Sequence, residues 1–221
     1  MNRVVLRASQ TLIGMDLENL RDYASTVEAF FSKELEALRL SLEKDVSKLP
    51  KEEQEAILTL RAEDHDHWQL SEVFPHTLRY SLFILCYSLL EHHLLNLCKH
   101  IEKTLSDSVT LDDLRGRGIR KAQTYLKKVA KIEFPDKSSF WNNICHYNLI
   151  RNFIVHKNGR LDKSRNAKKV KSFINSKSSI GLGSHDQIQL SEQFIPEVID
   201  DLDEFFKQLF EALREKFERS W

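Results

Sequence analysis

Residues 80–97 read YSLFILCYSLLEHHLLNL and form the most apolar stretch of the chain. Drawn as a helix, this stretch carries apolar side chains on nearly every face, which predicts burial on several sides by other helices. The polar residues 91–93, Glu-His-His, make it too polar to span a bilayer. We therefore expect a core helix that begins at Ser71 or Pro75, ends near Leu105 and does not cross a membrane.

The rest of the chain has the composition of a helical protein. It holds only six Gly and four Pro in 221 residues, while 30% of its residues are charged, so the turn signals of a many-stranded protein are missing. Helical spacing of apolar residues, together with start and stop signals, predicts four more long helices. The first two cover residues 16–48 and 110–131. The third begins near 136–139 and runs to about 157, and the last begins between Ser191 and Pro196 and runs to the end. A short helix is predicted at 52–61 and one short strand at 187–190. The prediction is an all-α fold.

Length and charge predict two parts of unequal size. The 221 residues suffice for one domain with a helical extension. We predict an N-terminal helical extension over residues 1–66, which is rich in acids, and a helical domain over residues 67–221. Lys plus Arg equals Asp plus Glu, 33 each, which excludes a globally basic nucleic-acid binder but leaves room for a local basic patch.

The cysteines and the N-terminus indicate a cytoplasmic protein. Cys86, Cys98 and Cys145 are odd in number and lie in apolar or helical surroundings, which suits buried thiols in a reducing compartment. The first residues contain no apolar run long enough for a signal peptide. We expect a cytoplasmic location.

One motif near the end of the penultimate long helix combines residues suited to RNA cleavage: Arg151-Asn152-Phe153-Ile154-Val155-His156. Histidine titrates near neutral pH, so it can take a proton from a ribose 2′-OH or give one to the leaving 5′-oxygen. Arginine offers a permanently charged fork for the phosphate, and asparagine can orient the histidine or bind the phosphate. Attack by the neighbouring 2′-OH needs no metal and leaves a 2′,3′-cyclic phosphate and a 5′-OH.

The spacing within this motif favours a site shared by two chains. On an ideal helix Asn152 and His156 lie about 40° apart, whereas Arg151 and His156 lie roughly 140° apart. The Arg and the His are therefore poorly placed to act together on one helix. A dimer axis beside the helix would bring two Arg and two His around one cleft.

With this motif on its penultimate helix, the chain resembles the HEPN superfamily over roughly residues 71–177 and the C-terminal helix. The resemblance implies a HEPN-like helical bundle over residues 67–221, a homodimer with paired motifs and, in active members, RNA cleavage without a cofactor. Arg151 and His156 match the catalytic pair and Asn152 the polar position between them. Glu91 matches an acid that such proteins often place near the motif.

The resemblance also implies a biological role. Similar proteins are toxins or anti-phage effectors, so an antitoxin or regulatory partner is expected beside the RNA substrate. HEPN toxins paired with a nucleotidyltransferase antitoxin carry a Tyr two residues after the His. Here Asn158 takes that place, so silencing by adenylylation of that Tyr is not expected.

Basic residues on both sides of the motif are candidates for RNA contacts. Residues 115–131 and 157–177 are strongly basic and could line a groove that leads to His156, although a solvated surface or, for 157–177, a loop explains them equally well. The RNA-binding candidates are Lys157, Arg160, Arg117, Arg120 and Lys121. Two histidine clusters, at 64–67 and 92–93, lack the spacing of a zinc site, so we predict surface or interface histidines and no metal.

Two other interpretations of the function remain open. A catalytically inactive HEPN-like module that binds RNA, a nucleotide or a partner protein would carry the same motif in the same place. A purely structural helical interaction protein would carry it by accident and would show no RNA affinity above the salt-sensitive background.

Overall fold

The computed structural model describes residues 3–51, 53–54, 65–105 and 109–218, and it confirms the all-α prediction. The α-helices are α1 (Arg3–Val46), α2 (His65–Trp68), α3 (Phe74–Glu102), α4 (Gly118–Thr124), α5 (Ser139–Lys157), α6 (Arg165–Ile174) and α7 (Phe194–Glu218). Turns of π-helix follow α2 and α4, at Gln69–Val73 and Tyr125–Val129. Two short antiparallel strands, β1 (Ile180–Leu182) and β2 (Ile188–Leu190), form a hairpin between α6 and α7.

Four long helices build the core. The helices α3 and α7 pack on each other, and both α1 and α5 pack on this pair. In the described part of the chain, α1 and α5 share these two neighbours without packing on each other, so they lie on opposite sides of the α3–α7 pair. Aromatic rings join the layers on the α5 side: Phe83 of α3 lies 5.3 Å from Phe194 of α7 and 5.9 Å from Tyr147 of α5, between ring centroids.

The apolar stretch at 80–97 lies inside α3, where the sequence predicted a core helix. The continuous helical segment His65–Glu102 is long and apolar enough to cross a membrane by length and composition. However, 44% of its most apolar window is buried against the rest of the protein. The buried side chains of α3, from Tyr80 to Ile101, account for apolar residues on several faces of this helix.

The first half of α1 belongs to the same core. Its buried side chains recur at helical spacing and are Leu6, Ile13, Leu17, Leu20 and Ala24. Beyond these residues, a bidentate ion pair between Glu28 of α1 and Arg79 of α3 (2.6 and 2.8 Å) connects the two helices. The predicted extension over residues 1–66 therefore shares its core with residues 67–221. Most of the short helix predicted at 52–61, and the residues just before the boundary at 66, lie outside the described part of the chain.

Three local predictions need correction. The helix predicted from Thr110 begins at Gly118, because the Asp113 carboxylate accepts hydrogen bonds from the Thr110 hydroxyl (2.7 Å) and amide (2.8 Å) and closes a turn there. Part of the basic stretch 157–177 is the regular helix α6, capped by Ser164, whose Oγ accepts a hydrogen bond from the Ala167 amide. A single predicted strand at 187–190 proves to be one half of a hairpin.

We expect the docking of α1 to weaken in acid. His93 of α3 lies 2.9 Å from the Asp16 carboxylate of α1, and burial lowers the pKa of His93 below its ordinary value of 6.5 despite this contact. The unfolded chain therefore binds this proton more readily, so the contribution of His93 to stability is present above pH 6.5 and is lost as the pH falls below it. Urea unfolding at pH 7.5 and 5.5 should show a smaller pH dependence in His93→Gln than in wild type. The exposed His100, changed to Gln, should leave the dependence unaltered.

Candidate active site

The motif occupies the last two turns of α5, whose ends are fixed locally. Ser138 caps the N-terminus by accepting a hydrogen bond from the Trp141 amide (3.1 Å). Asn158 ends the helix in the left-handed conformation (φ 49°, ψ 41°), and Gly159 follows with φ 75°. This confirms the predicted helix and its Asn-Gly stop signal. The inner face of α5 is buried, so the motif projects from a rigid support.

Gly159 packs directly beneath Tyr80 and should not tolerate a side chain. A Cβ built at Gly159 would lie 2.0 Å from the Tyr80 hydroxyl, which donates a 2.6 Å hydrogen bond to the Ile188 carbonyl. We expect Gly159→Ala to lower the free energy of unfolding by about 1–3 kcal/mol, because positive φ and the clash both act against the native state. In α1, Gly14→Ala is the matched control, since nothing lies near its Cβ and alanine favours a helix. Equal stability of both variants in urea unfolding would contradict this.

Asn152 and His156 share one open groove, as their spacing predicted. It encloses about 320 Å³ and is lined by Leu149, Asn152, Phe153, His156, Lys157, Asp162, Ser164 and Asn166. His156 is exposed to solvent at the C-terminal end of α5. Asn152 is half-buried and its amide nitrogen lies 3.4 Å from the Asn148 side-chain oxygen, one turn earlier. A histidine and an amide thus face the same solvent-filled space.

An ion pair forms one wall of this groove. Lys157 donates a short hydrogen bond to the Asp162 carboxylate, which also accepts from the Ser164 backbone amide (2.9 Å). The Lys157 ammonium, with help from Ser164, holds the pKa of Asp162 well below its usual range. Asp162 therefore stays ionised and offsets much of the charge that Lys157 would present to a phosphate.

Arg151 lies on another flank of α5, over the ring of Tyr87. Its guanidinium carbon is 5.9 Å from the Tyr87 ring centroid, and its Nη1 lies 3.3 Å from the Asn152 side-chain oxygen. Within the described part of the protein, its Nε is buried and has no hydrogen-bond partner. A buried donor without an acceptor costs about 1–3 kcal/mol, so an acceptor that reaches this nitrogen when the side chain moves, such as a phosphate oxygen, would be stabilising.

Glu91 belongs to the Arg151 flank. It lies one turn after Tyr87 on α3, and its carboxylate presses against the backbone of Gly118, where a Cβ would come within 2.1 Å of Oε1. Burial raises the pKa of Tyr87, and the nearby Glu91 charge raises it further while Arg151 acts in the opposite direction. Glu91 and Arg151 thus flank the same ring, although no ion pair between these two described residues is formed.

The basic candidates fall into two separate groups. Arg120 lies over the Trp141 ring at 5.8 Å, beside the N-terminal half of α5. Arg117 directly precedes α4, and Lys121 is 3.4 Å from the Asp112 carboxylate. Lys157 is the last residue of α5, about 24 Å from Trp141 along the helix axis, and Arg160 follows shortly after it. The chain therefore has one basic patch beside Trp141 and another near His156.

Three residues of the site were missed by the sequence prediction. Tyr87 stands four residues before Glu91 and Asn148 four before Asn152, so helical spacing could have pointed to both. Asn166 reaches the groove from the first turn of α6, and no local signal indicates which way that helix turns after Gly159.

A comparison of the chain with family models, with curated proteins and with solved structures found no match. Among the described residues, no three His, Cys, Asp or Glu side chains are grouped so that they could hold a metal ion. Of the two histidine clusters, His92 and His93 diverge, one bonded to Asn96 and the other to Asp16, and Asp64 lies outside the described residues.

Proposed function

We propose that this protein is a metal-independent endoribonuclease of the HEPN type, which cuts RNA by 2′-OH attack at a site completed by two chains. One observation carries the proposal. The Arg151 guanidinium has a buried nitrogen without a hydrogen-bond partner among the described residues, and it contacts Asn152. Asn152 lines the same open groove as His156. The guanidinium can bind a phosphate, and the histidine can transfer a proton.

Each motif residue has a distinct role in this proposal. His156 takes the 2′-OH proton or protonates the leaving 5′-oxygen from its exposed position in the groove. Arg151 binds the scissile phosphate and stabilises its developing charge, and a phosphate oxygen accepts the hydrogen bond that Nε does not donate in the free protein. Asn152 connects the two by holding Nη1 of Arg151 at the groove wall. Glu91 positions Arg151 indirectly, through the shared Tyr87 ring.

The outer face of α5 supports a homodimer at this site. It combines the half-buried Cys145 and Leu149 with Val155, which is exposed, beside the amides of Asn148 and Asn152. Such a mixture of apolar and amide groups is common at interfaces between copies of one chain. Arg151 and His156 do not contact each other within one protomer. A two-fold axis along this face would set Arg151 of one copy beside His156 of the other.

The biological role rests on the resemblance to HEPN proteins. We propose a cytoplasmic toxin or anti-phage effector that acts on cellular RNA and is restrained by an antitoxin or another regulatory partner. The RNA enters over the basic patches at Arg117, Arg120 and Lys121 and at Lys157 and Arg160, which a dimer would bring around one cleft. Backbone contacts would dominate because few aromatic residues lie among these basic ones.

The decisive experiment incubates the purified protein with RNA in the presence of EDTA and identifies the ends of the products. Cleavage that leaves 2′,3′-cyclic phosphates, and that stops at any position carrying a 2′-deoxyribose, would support the proposal. RNA binding without cleavage would favour the inactive HEPN-like module. Neither cleavage nor binding above the salt-sensitive background would favour the structural interaction protein.

A further inference from the structure

The outer face of α1 carries a row of large apolar side chains in contact with solvent. We name this row the α1 stripe. It consists of Leu12, Met15, Tyr23, Phe30 and Leu40, which expose 53–58% of their surface. A single exposed apolar residue needs no explanation, but five large ones along one arc of a helix, with Asp22, Thr26 and Lys33 between them, form a candidate contact surface.

The α1 stripe lies on roughly the opposite side of the helix from the core. With 3.6 residues per turn, its five members fall within an arc of about 100°. The buried face, from Leu6 to Ala24, falls in a separate arc centred some 140° away. The helix α1 is therefore apolar on two sides, although the α3–α7 pair covers only one of them.

The positions along the stripe are symmetric about Tyr23. Met15 precedes Tyr23 by eight residues and Phe30 follows it by seven. Val4, 69% exposed, stands 19 residues before Tyr23 and Leu40 stands 17 after it, while the position mirrored from Leu12 holds Lys33 and Glu34. A second copy packed antiparallel would set Met15 against Phe30, Val4 against Leu40 and Tyr23 against its own counterpart. An antiparallel two-fold contact requires this kind of self-complementarity.

Charge and area point to the same arrangement. Residues 3–11 carry Arg3 and Arg7 and no acid, whereas residues 34–43 carry three Glu and one Arg, which is ion-paired with Glu36 and Glu43. An antiparallel pair places the basic end against this weakly acidic segment, and a parallel pair places the basic ends against each other. Six exposed apolar side chains from each of two copies would bury on the order of 1,000 Å² in total, which meets the threshold for a biological interface.

We propose that the α1 stripe is a two-fold interface at which a second copy of this chain packs antiparallel, centred on Tyr23. Because α1 and α5 lie on opposite sides of the α3–α7 pair, this interface is separate from the dimer proposed at the motif. Where both interfaces form, ribonuclease dimers join in pairs through α1. The inference does not depend on RNA cleavage.

Cross-linking of cysteines introduced on the surface of α1 tests the register, while the natural Cys86 and Cys98 are buried. In full-length protein carrying Cys145→Ser, Tyr23→Cys should link to itself through a short bismaleimide. Met15→Cys should link to Phe30→Cys when the two proteins are mixed, but not to itself, since two copies of residue 15 would lie about 22 Å apart. Ser25→Cys, on the other side of α1, is the control and should not link. Efficient self-linking of Met15→Cys, or no linking of Tyr23→Cys, would overturn the proposal.

The mass in solution tests the interface itself. Analytical ultracentrifugation should show that Met15→Glu with Tyr23→Glu halves the mass of the assembly, while the matched pair Ser25→Glu with Ser32→Glu does not. RNA cleavage, if wild type has it, should persist in all of these proteins. An unchanged mass in the stripe variant, or capture of wild type by lipid vesicles without self-association, would overturn the inference. If no protein cleaves RNA, the ribonuclease proposal fails while mass and cross-links still decide this interface.

Discussion

Alanine at His156 or at Arg151 should lower RNA cleavage by roughly 10²–10⁴-fold, because each change removes either the proton transfer or the charge stabilisation of the transition state. His156 is exposed, so its loss should leave the folded protein intact. The exposed His100, changed to Ala, is the matched control and should cleave RNA like wild type. Initial rates on a defined RNA in EDTA measure the effect.

Mixing the two inactive variants distinguishes a site made by two chains from a site within one chain. Random exchange of subunits makes half of the dimers mixed, and each mixed dimer has one site with both residues intact, so about a quarter of wild-type activity should return. A site within one chain would regain nothing on mixing. Equal activity of wild type and both single variants would instead remove the motif as the site and point to a contaminating nuclease.

Asp201→Ala should cause the largest loss of stability among single changes outside the apolar core. Asp201 of α7 is buried, and its carboxylate accepts a short hydrogen bond from the Tyr147 hydroxyl and a 2.9 Å bond from the Asn143 amide, both on α5. Alanine would leave the buried Tyr147 hydroxyl without an acceptor. We expect a loss of about 2–4 kcal/mol in the free energy of unfolding, measured in urea.

The neighbouring residue provides a matched control for this change. Asp200 is exposed and pairs with Arg21 of α1 at 2.7 Å, so Asp200→Ala should cost no more than about 1 kcal/mol. Combining Asp201→Ala with Tyr147→Phe should destabilise less than the sum of the two single changes, because the double variant leaves no orphaned hydroxyl. Additive losses, or equal losses at positions 200 and 201, would contradict a shared buried network.

The long helices could be predicted from the sequence because their signals are local. The apolar residues at 80–97 demand burial whatever their neighbours are, and Ser138, Asn158 and Gly159 set the ends of α5 through contacts a few residues away. The common groove of Asn152 and His156 follows from a four-residue spacing on one helix. For the same reason the separation of Arg151 from His156 was visible before the fold was known.

Only the tertiary structure decided what surrounds those residues. Helical spacing predicts a buried face of α1, but not that it packs on the same α3–α7 pair as α5. Contacts between distant residues place Tyr87 beneath Arg151, Asn166 in the His156 groove, and Arg120 against Trp141 rather than near Lys157. Each of these three placements depends on how the helices pack across a shared core. The direction of packing is set by many long-range contacts together, which no short stretch of sequence encodes.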